Sequence, residues 1–566
     1  MSSQPTPRRG IPTGPPKAAK KGQSLSQSTA IMASGTFVSR ALGLVRNIML
    51  VAALGATGAA ADAFDIANKV PNILFALIAG GVLNAVIVPQ VMRAYRSPNS
   101  QEYLDKLLTL AAAMLLGISL ITTLGASTMV SLYASSDWSP EQTALAVAFA
   151  FWCIPQLFFY GLYTLLGQVL NARKQFGPFM WAPALNNVIS IVGFGLFLLI
   201  FGSAAMGNNA ELASWTPAKI ALLGGTATLG VAGQALILFL PLLRSGFRWN
   251  IRFGLRGIGL RTVGRMGMWT FLTLFLDQIG VWLTTRIATS APALAPAGTE
   301  IVAGNASYTQ ALMIYLLPHS LVTVSIATAL FTGMSAAAAK GDVTQVRELM
   351  SKGMRIIGVF TVFATAAMVV LAKPLTMLLI PTLEAGEVTV VANVLIAMSL
   401  GLVPLGAMVL MKWVYFAFED GKSVFYFQIP VLITLLAVAY LATLVLPSIW
   451  WVAAVGLAMS VSNLVAVALR LKGLSRLLEG ADIPRITRLH VQLIVAALLA
   501  AALGWFVLHT WGFAPTDSYA RALILTGATG SFMGCVYVLA LKAMKVSELE
   551  QLLDPILTKI SRTRRR

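Results

Sequence analysis

Fourteen apolar stretches, each long enough to cross a lipid bilayer, follow one another along this chain of 566 residues. A helix needs about 20 apolar residues to span the hydrocarbon core of a membrane. Charged residues make up only 11% of the chain, against roughly 25% in soluble domains. The sequence therefore predicts an all-α polytopic membrane protein with 14 transmembrane helices, at 29–54, 62–92, 107–134, 142–169, 180–202, 217–243, 266–289, 304–336, 355–379, 388–413, 424–446, 449–470, 489–510 and 519–541.

The basic residues between these stretches predict how the helices are oriented. Of the 41 Lys and Arg residues, 34 fall on the two terminal tails and on alternate connections. Cytoplasmic loops of membrane proteins carry an excess of Lys and Arg. We therefore expect both termini in the cytoplasm of a multi-pass protein of the cell membrane. The net charge of +20 then reflects the bilayer as partner, and no nucleic acid is expected.

Two weak internal matches indicate a duplicated unit of six helices. Pro71 and Pro318 lie early in similar apolar segments, and Gly167 and Lys412 begin another similar pair at nearly the same separation. Transporters are commonly duplicated in this way, with a substrate site between the halves; chance similarity between apolar segments is the alternative. The predicted organisation is a disordered basic tail (1–28), a first lobe (29–245), a basic cytoplasmic linker (246–265), a second lobe (266–472), a C-terminal helix pair (487–544), and an interfacial helix with a basic tail (545–566).

Four cations, Arg40, Arg46, Lys69 and Arg286, lie inside predicted spans and away from the basic connections and the edges of the spans. An arginine near the centre of a membrane helix disfavours insertion by about 2.5–3.5 kcal/mol, and such residues usually mark functional sites. Arg40 and Arg46 are six residues apart, about 9 Å along a helix. We expect a cation-lined cavity that binds an anion, because the planar fork of arginine suits phosphate.

Polar residues on the same helical faces are expected to support or gate this cavity. In a simpler interpretation, Asp65 and Lys69 neutralise each other, while Arg40 pairs with Asp62 or extends to the membrane interface. The first two spans hold three cations and two acids, however, so that pairing within them is incomplete. The supporting residues are Ser39, Gly43, Asp62, Asp65, Asn68 and Asn72.

The stretch SRALGLVRNIMLVAALGATGAAADAFDIANKVPN resembles the N-terminal signature of the MurJ (MviN) lipid II flippases, a family of the multidrug/oligosaccharidyl-lipid/polysaccharide exporter superfamily. The matching motif is S-R-x-L-G-x-x-R, followed by D-A-F and K-x-P-N. The resemblance covers nearly the whole chain and implies transport of lipid II, the undecaprenyl-diphosphate-linked peptidoglycan precursor, to the outer leaflet. It also implies that Arg40, Arg46, Lys69 and Asp62 are functional. We expect alternating access as the mechanism.

The chain also departs from the family pattern. Phe75 and Ala76 stand at positions that are usually basic, and Gly80 stands where a glutamate is usual. The arginine of the eighth span is absent, so Arg286 is expected to supply the cation of the second lobe instead. The GGVLNAV stretch is similar to actinobacterial members, which indicates a divergent branch of the family.

Asp277 is the candidate site for a coupling ion, Na⁺ or H⁺, because it is a lone carboxylate near Gln278 and Thr273 in the seventh span. A salt bridge to another helix is the alternative. No other cofactor, no metal site and no enzymatic activity are expected. The protein is expected to act as a monomer, with lipid II as substrate and the cell-wall synthesis or division machinery as further partners.

Other functions stay open at this point. An exporter of drugs or metabolites of the MATE type would favour acids over arginines in the first lobe, because its substrates are usually cationic. A flippase for another polyprenyl-diphosphate-linked saccharide would use the same cations. A membrane scaffold without transport activity would have no purpose for buried, unpaired cations.

Overall fold

A computed structural model of the chain describes residues 25–80, 83, 90–91, 100–207, 209, 211–254, 265–299 and 301–550. Within these residues the regular structure is entirely helical, as expected where a bilayer leaves the backbone to satisfy its own hydrogen bonds. In the part of the chain that the structure describes, eleven helices are long and apolar enough to cross a membrane, or up to twelve if a bent pair counts as one span. The all-helical membrane fold is thus confirmed, while the exact number of fourteen spans stays a prediction.

The first half of the described chain contains nine α-helices. Ser139 and Thr216 cap two of them, each with a proline directly after the cap, which is a favoured way to begin a helix. Two short 3₁₀ turns interrupt the connection between the seventh and eighth helices. The helices are α1 (Leu25–Leu54), α2 (Ala59–Ile78), α3 (Ser100–Leu124), α4 (Ala126–Tyr133), α5 (Pro140–Cys153), α6 (Gln156–Ala172), α7 (Phe176–Phe201), α8 (Pro217–Leu236) and α9 (Phe239–Arg244).

The second half contains nine further helices, and a final pair follows it. A π-helical turn, His319–Thr323, joins the two parts of the eighth predicted span directly after Pro318. The tenth predicted span is bent by 48° between two helices. The helices are α10 (Arg265–Ala293), α11 (Asn305–Pro318), α12 (Val324–Ala339), α13 (Val343–Val370), α14 (Ala372–Leu379), α15 (Ala385–Ser399), α16 (Leu402–Ala417), α17 (Gly421–Val445) and α18 (Trp451–Leu477), then α19 (Ile483–Trp511) and α20 (Tyr519–Ala543).

Small residues let the helices of each half pack closely. In the first half α1 packs on α7, and α7 on α8, where a Cβ on Gly193 would overlap the side chain of Thr226. In the second half a Cβ on Gly401 would lie 2.7 Å from the hydroxyl oxygen of Ser460 on α18. Such contacts are typical of membrane helices, whose association depends on close van der Waals packing.

The final helix pair packs against α13 of the second half. The chain after α20 returns to this helix, because Val546 and Leu549 are buried in the same apolar cluster. Glu548 forms an ion pair with Arg355 of α13, and the two residues are only 6% and 7% exposed. The interfacial helix predicted over 545–566 stays a prediction, since the structure describes it only as far as residue 550.

Candidate functional site

The two halves meet through carboxylates that accept hydrogen bonds from the opposite half. Asp62, in the first turn of α2, is 1% exposed and accepts a hydrogen bond of 2.7 Å from the backbone amide of Ala306. A Cβ on Gly304, just before α11, would collide with the same carboxylate. A carboxylate at a helix N-terminus satisfies free amides and interacts favourably with the helix dipole. Asp62 therefore caps α11 across the boundary between the halves.

Asp65 and Lys69 extend this contact by one turn of α2. Their side chains lie 3.5 Å apart, and Lys69 donates a hydrogen bond of 2.7 Å to the amide oxygen of Asn305. The amide nitrogen of Asn305 donates to Asp65, and Thr309 donates to the same carboxylate at 2.9 Å. Lys69 and Asp65 thus do pair within one helix, but the pair is also bound to α11.

Glu387 of α15 makes a third contact of this kind. Its Oε1 accepts hydrogen bonds from the backbone amides of Ala56 and Thr57, at 2.8 and 3.0 Å, and from the Thr57 hydroxyl at 2.9 Å. Its Oε2 accepts from the backbone amide of Glu384 at 3.2 Å, as part of the capping box that begins α15. Asp62, Asp65 and Glu387 thus join α1, α2, α11 and α15. We call this region the paired end.

The arginines of α1 are arranged differently. Arg40 is exposed and Arg46 is half-buried, and neither has a carboxylate or hydrogen-bond partner among the residues that the structure describes. Arg46 does interact electrostatically with the phenol of Tyr160 on α6. The pairing of Arg40 with Asp62, one of the two possibilities in the simpler interpretation, is not formed, and Asp62 is bound to Ala306 instead. The other possibility, extension of Arg40 to the membrane interface, stays a prediction.

Amide side chains of α2 and α6 form a chain of hydrogen bonds that begins at Tyr160. The Tyr160 hydroxyl donates to Gln156 at 3.3 Å, and Gln156 donates to Asn68 at 3.1 Å. Asn72 is exposed, donates to the Asn68 carbonyl at 2.7 Å and is an electrostatic neighbour of Tyr160. Cations next to neutral donors form a surface that suits an anion with several oxygens. We call these residues the arginine site: Arg40, Arg46, Asn68, Asn72, Gln156 and Tyr160.

Ser39 and Gly43 face a neighbouring helix. The Asn187 side chain on α7 donates to the Ser39 carbonyl at 2.7 Å and to its hydroxyl at 3.3 Å. A Cβ on Gly43 would lie 3.6 Å from the same amide nitrogen. The structure therefore places these two residues in the packing of α1 on α7.

Arg286 lies where α10 of the second half packs on α4 of the first. Its guanidinium donates a hydrogen bond of 3.4 Å to the Leu132 carbonyl, which also accepts a bond of 2.6 Å from Trp282. Nearby, Trp138 donates to the Thr289 carbonyl at 3.0 Å. Among its described contacts, Arg286 thus joins the halves and does not meet the residues of the arginine site.

Asp277 is not a lone carboxylate. Gln428 of α17 donates to it at 2.7 Å and accepts a bond of 3.0 Å from Arg470 of α18, which is 2% exposed. Lys412 of α16 and Arg470 are its electrostatic neighbours. The sequence places Lys412 and Arg470 at the very ends of predicted spans, and the structure places both within helices. The Thr273 hydroxyl bonds to a carbonyl of its own helix, so it does not join this cluster.

The sequence of the chain matches a family model. The model described as lipid II flippase MurJ matches residues 50–523 and begins just after Arg46. A probable lipid II flippase MurJ of Rhizobium meliloti is 26% identical over 534 residues, which cover 91% of this chain and 94% of the relative. The lipid II flippase MurJ of Burkholderia cenocepacia is 26% identical over 83% of this chain and 87% of its own length.

Solved structures share the fold. One described as lipid II flippase MurJ in an inward closed conformation aligns with a TM-score of 0.68 at 19% identity, covering 91% of this chain and 98% of that one. A multidrug resistance transporter of the MATE family in an inward-facing conformation aligns with a TM-score of 0.62 at 17% identity, covering 81% and 98%. The fold is therefore common to lipid flippases and drug exporters, and the sequence match distinguishes between them.

Proposed function

This chain belongs to the lipid II flippase MurJ family, and from that premise we propose how its residues move the substrate. It flips lipid II, the undecaprenyl-diphosphate-linked peptidoglycan precursor, from the cytoplasmic to the outer leaflet for cell-wall synthesis. The substrate crosses by alternating access between the two halves. Families with this activity transport their substrate without catalysing a covalent step.

The observation that carries the proposed site is the contrast between acids and arginines. Asp62 and Asp65 are both bound by groups of α11, while Arg40 and Arg46 have no acidic partner in the described part of the chain. Unpaired cations at membrane depth are costly unless a ligand or water compensates them. The diphosphate of lipid II supplies such compensation, since arginine binds phosphate through two parallel hydrogen bonds.

Opening and closing of the paired end would produce the alternating access. The hydrogen bonds of the paired end hold the halves together at one end of the helices, and their loss would let the halves separate there. The distribution of basic residues on alternate connections supports an arrangement of fourteen spans with both termini in the cytoplasm. In that arrangement the paired end faces outward. Arg286 would meet substrate only after the halves separate, because its guanidinium is bound to Leu132 here.

Asp277 remains our candidate for coupling to Na⁺ or H⁺. Its position between Gln428 and two cations also fits the alternative, in which the carboxylate is a structural counter-charge for Arg470. We propose that the transporter acts as a monomer. The cell-wall synthesis machinery would deliver lipid II on one side and consume it on the other.

The test replaces each arginine with a cation that lacks the planar fork. Arg40→Lys and Arg46→Lys should each fail to support growth of a strain depleted of the wild-type protein, at normal membrane levels on a blot. Each lost charge-assisted hydrogen bond weakens binding by about 1.5–3 kcal/mol, roughly ten- to a hundredfold. Arg521→Lys is the matched control, because Arg521 is exposed and pairs with Asp517 at 2.9 Å, away from the site.

Two results would count against this proposal. Full growth of both lysine variants would exclude recognition of phosphate through two parallel hydrogen bonds. Full growth of Arg40→Ala and Arg46→Ala would exclude a role for the two charges in transport altogether.

A further inference from the structure

A short segment after α9 has a regular pattern of side chains, and it has no role in the proposed transport mechanism. Residues 247–254 read FRWNIRFG, in which apolar and polar side chains alternate. The segment contains no helix or strand, and it begins the connection between the two halves. We call it the strap.

Side chains of α3 hold the strap in place. Together they bind five polar groups of the strap, three on the backbone, one on an indole ring and one on the Asn250 side-chain amide, over about 12 Å of α3. These bonds satisfy backbone groups that no helix or strand of the strap itself satisfies. The bonds run from Gln101 to the Arg248 carbonyl (2.7 Å), from the Asn250 amide to Asp105 (3.2 Å), and from the Trp249 indole and the Arg252 amide to the Thr109 hydroxyl (3.0 and 3.2 Å).

Two apolar side chains of the strap are exposed beside the helices. Ile251 is 76% exposed and Phe253 is 75% exposed, and they continue a surface that includes Leu243 and Leu116, at 56% and 55%. An exposed apolar surface on a membrane protein is suited to contact with lipid. The strap, α3 and α9 enclose a cleft of about 410 Å³ on this surface, lined by small and aromatic residues such as Ala113 and Phe239.

The rim of the cleft is positively charged. Arg248 and Arg252 are exposed and alternate with the strap residues that line the cleft. Lys106 reaches the end of the strap, where a Cβ on Gly254 would lie 3.4 Å from its Cε, and it pairs with Glu102 at 2.8 Å. The other acid, Asp105, is 1% exposed beneath the strap. The three cations therefore outnumber the two acids, and the more accessible groups are mainly basic.

We propose that this cleft binds an anionic phospholipid, with one acyl chain between α3 and α9 and the phosphate at Arg248 and Arg252. An apolar cleft that opens to lipid below a basic rim is complementary to such a molecule. The site is separate from the arginine site and does not depend on the proposed transport function. Because the strap begins the connection between the halves, the bound lipid anchors that connection at the membrane surface.

The experiment uses the purified full-length protein and phospholipids that carry a photoreactive diazirine in one acyl chain. Phosphatidylglycerol and phosphatidylcholine probes are compared, and labelled peptides are mapped by mass spectrometry. The phosphatidylglycerol probe should label residues 109–116 and 247–254 several-fold more strongly. Arg248→Gln with Arg252→Gln should weaken binding of that probe by about fivefold for each arginine, while labelling by phosphatidylcholine stays unchanged.

Matched variants separate chain binding from headgroup binding. Ile251→Ser with Phe253→Ser should reduce labelling by both probes. Leu199→Ser removes a side chain that is 85% exposed on α7, and Lys340→Gln removes an exposed cation of the second half; neither should alter labelling of the cleft.

Three outcomes would overturn the proposal. Equal labelling by the two probes would exclude headgroup selection, and adducts confined to other helices would exclude the cleft. Displacement of the probe by excess polyprenyl diphosphate, but not by unlabelled phosphatidylglycerol, would assign the cleft to the transported substrate. None of these results would alter growth of the Arg40 and Arg46 variants, so the two proposals fail separately.

Discussion

Glu387→Gln is the substitution that tests the paired end most directly. One carboxylate oxygen of Glu387 accepts three hydrogen bonds from Ala56 and Thr57, at 2.8–3.0 Å, and the residue is 6% exposed. Glutamine keeps the shape and can keep the oxygen that faces Ala56 and Thr57, so that the charge is lost together with the acceptor for the Glu384 amide. A hydrogen bond to a charged group contributes about 1.5–3 kcal/mol, against about 0.5–1.5 kcal/mol for a neutral one.

The difference is about 1 kcal/mol for each bond. Because the three bonds share one oxygen they are not additive, and we expect a total loss of about 2 kcal/mol. That loss moves the equilibrium between joined and separated halves about thirtyfold towards separation. Other contacts of the paired end, such as the cap of Asp62 on α11, would remain.

The assay measures distances between two spin labels in lipid nanodiscs. The labels replace Met206 and Pro381, which are exposed near the two sides of a crevice between Ala204 and Thr382. Glu387→Gln should raise the ratio of long-distance (separated) to short-distance (joined) populations about thirtyfold relative to the wild type. Glu384→Gln is the control, because it removes an exposed charge from the same helix end without a bond to the first half. If both variants give the wild-type distribution, the paired end does not hold the halves together.

Three further predictions concern other parts of the chain. Asp277→Asn should preserve membrane insertion and substrate binding but remove the dependence of transport on a sodium or proton gradient; unchanged dependence would leave Asp277 as a structural partner of Gln428 and Arg470. Glu548→Gln should destabilise the detergent-solubilised protein by about 3–5 kcal/mol, measured by thermal unfolding, because it leaves Arg355 buried and unpaired, whereas Arg355→Met with Glu548→Met should be nearly neutral. Cysteines at Ser136 or Pro296 should react with an impermeant reagent from outside the cell, whereas cysteines at Ser245 or Ser475 should not, and the reverse pattern would invert the proposed topology.

The helices could be predicted from the sequence because the length of an apolar stretch is a local property. Even the second and seventh predicted spans, which carry charges, are helical where the structure describes them: helix Ala59–Ile78 begins the second span, and helix Arg265–Ala293 contains the seventh. The family could also be recognised locally, since its motif lies within one continuous stretch. Both predictions needed no knowledge of how the helices pack.

The partners of charged groups could not be predicted, because they depend on that packing. Nothing near Glu387 in the sequence indicates a bond to Ala56, which lies 331 residues away. Lys412 and Arg470 stand at the ends of apolar stretches and resemble loop residues, although Arg470 is buried. The one signal in the sequence is the pair of acids in PTLEAGEVTV, a connection without basic residues.

The donors at the paired end have a consequence for how this contact evolves. Asp62 binds the main-chain amide of Ala306, and Glu387 binds the main-chain amides of Ala56 and Thr57. Any residue except proline supplies such an amide, so the side chains at 56 and 306 can drift without breaking the contact. Among relatives, Asp62 and Glu387 would then be preserved as single positions without correlated changes opposite them. Covariation between columns of an alignment would miss these two contacts between the halves.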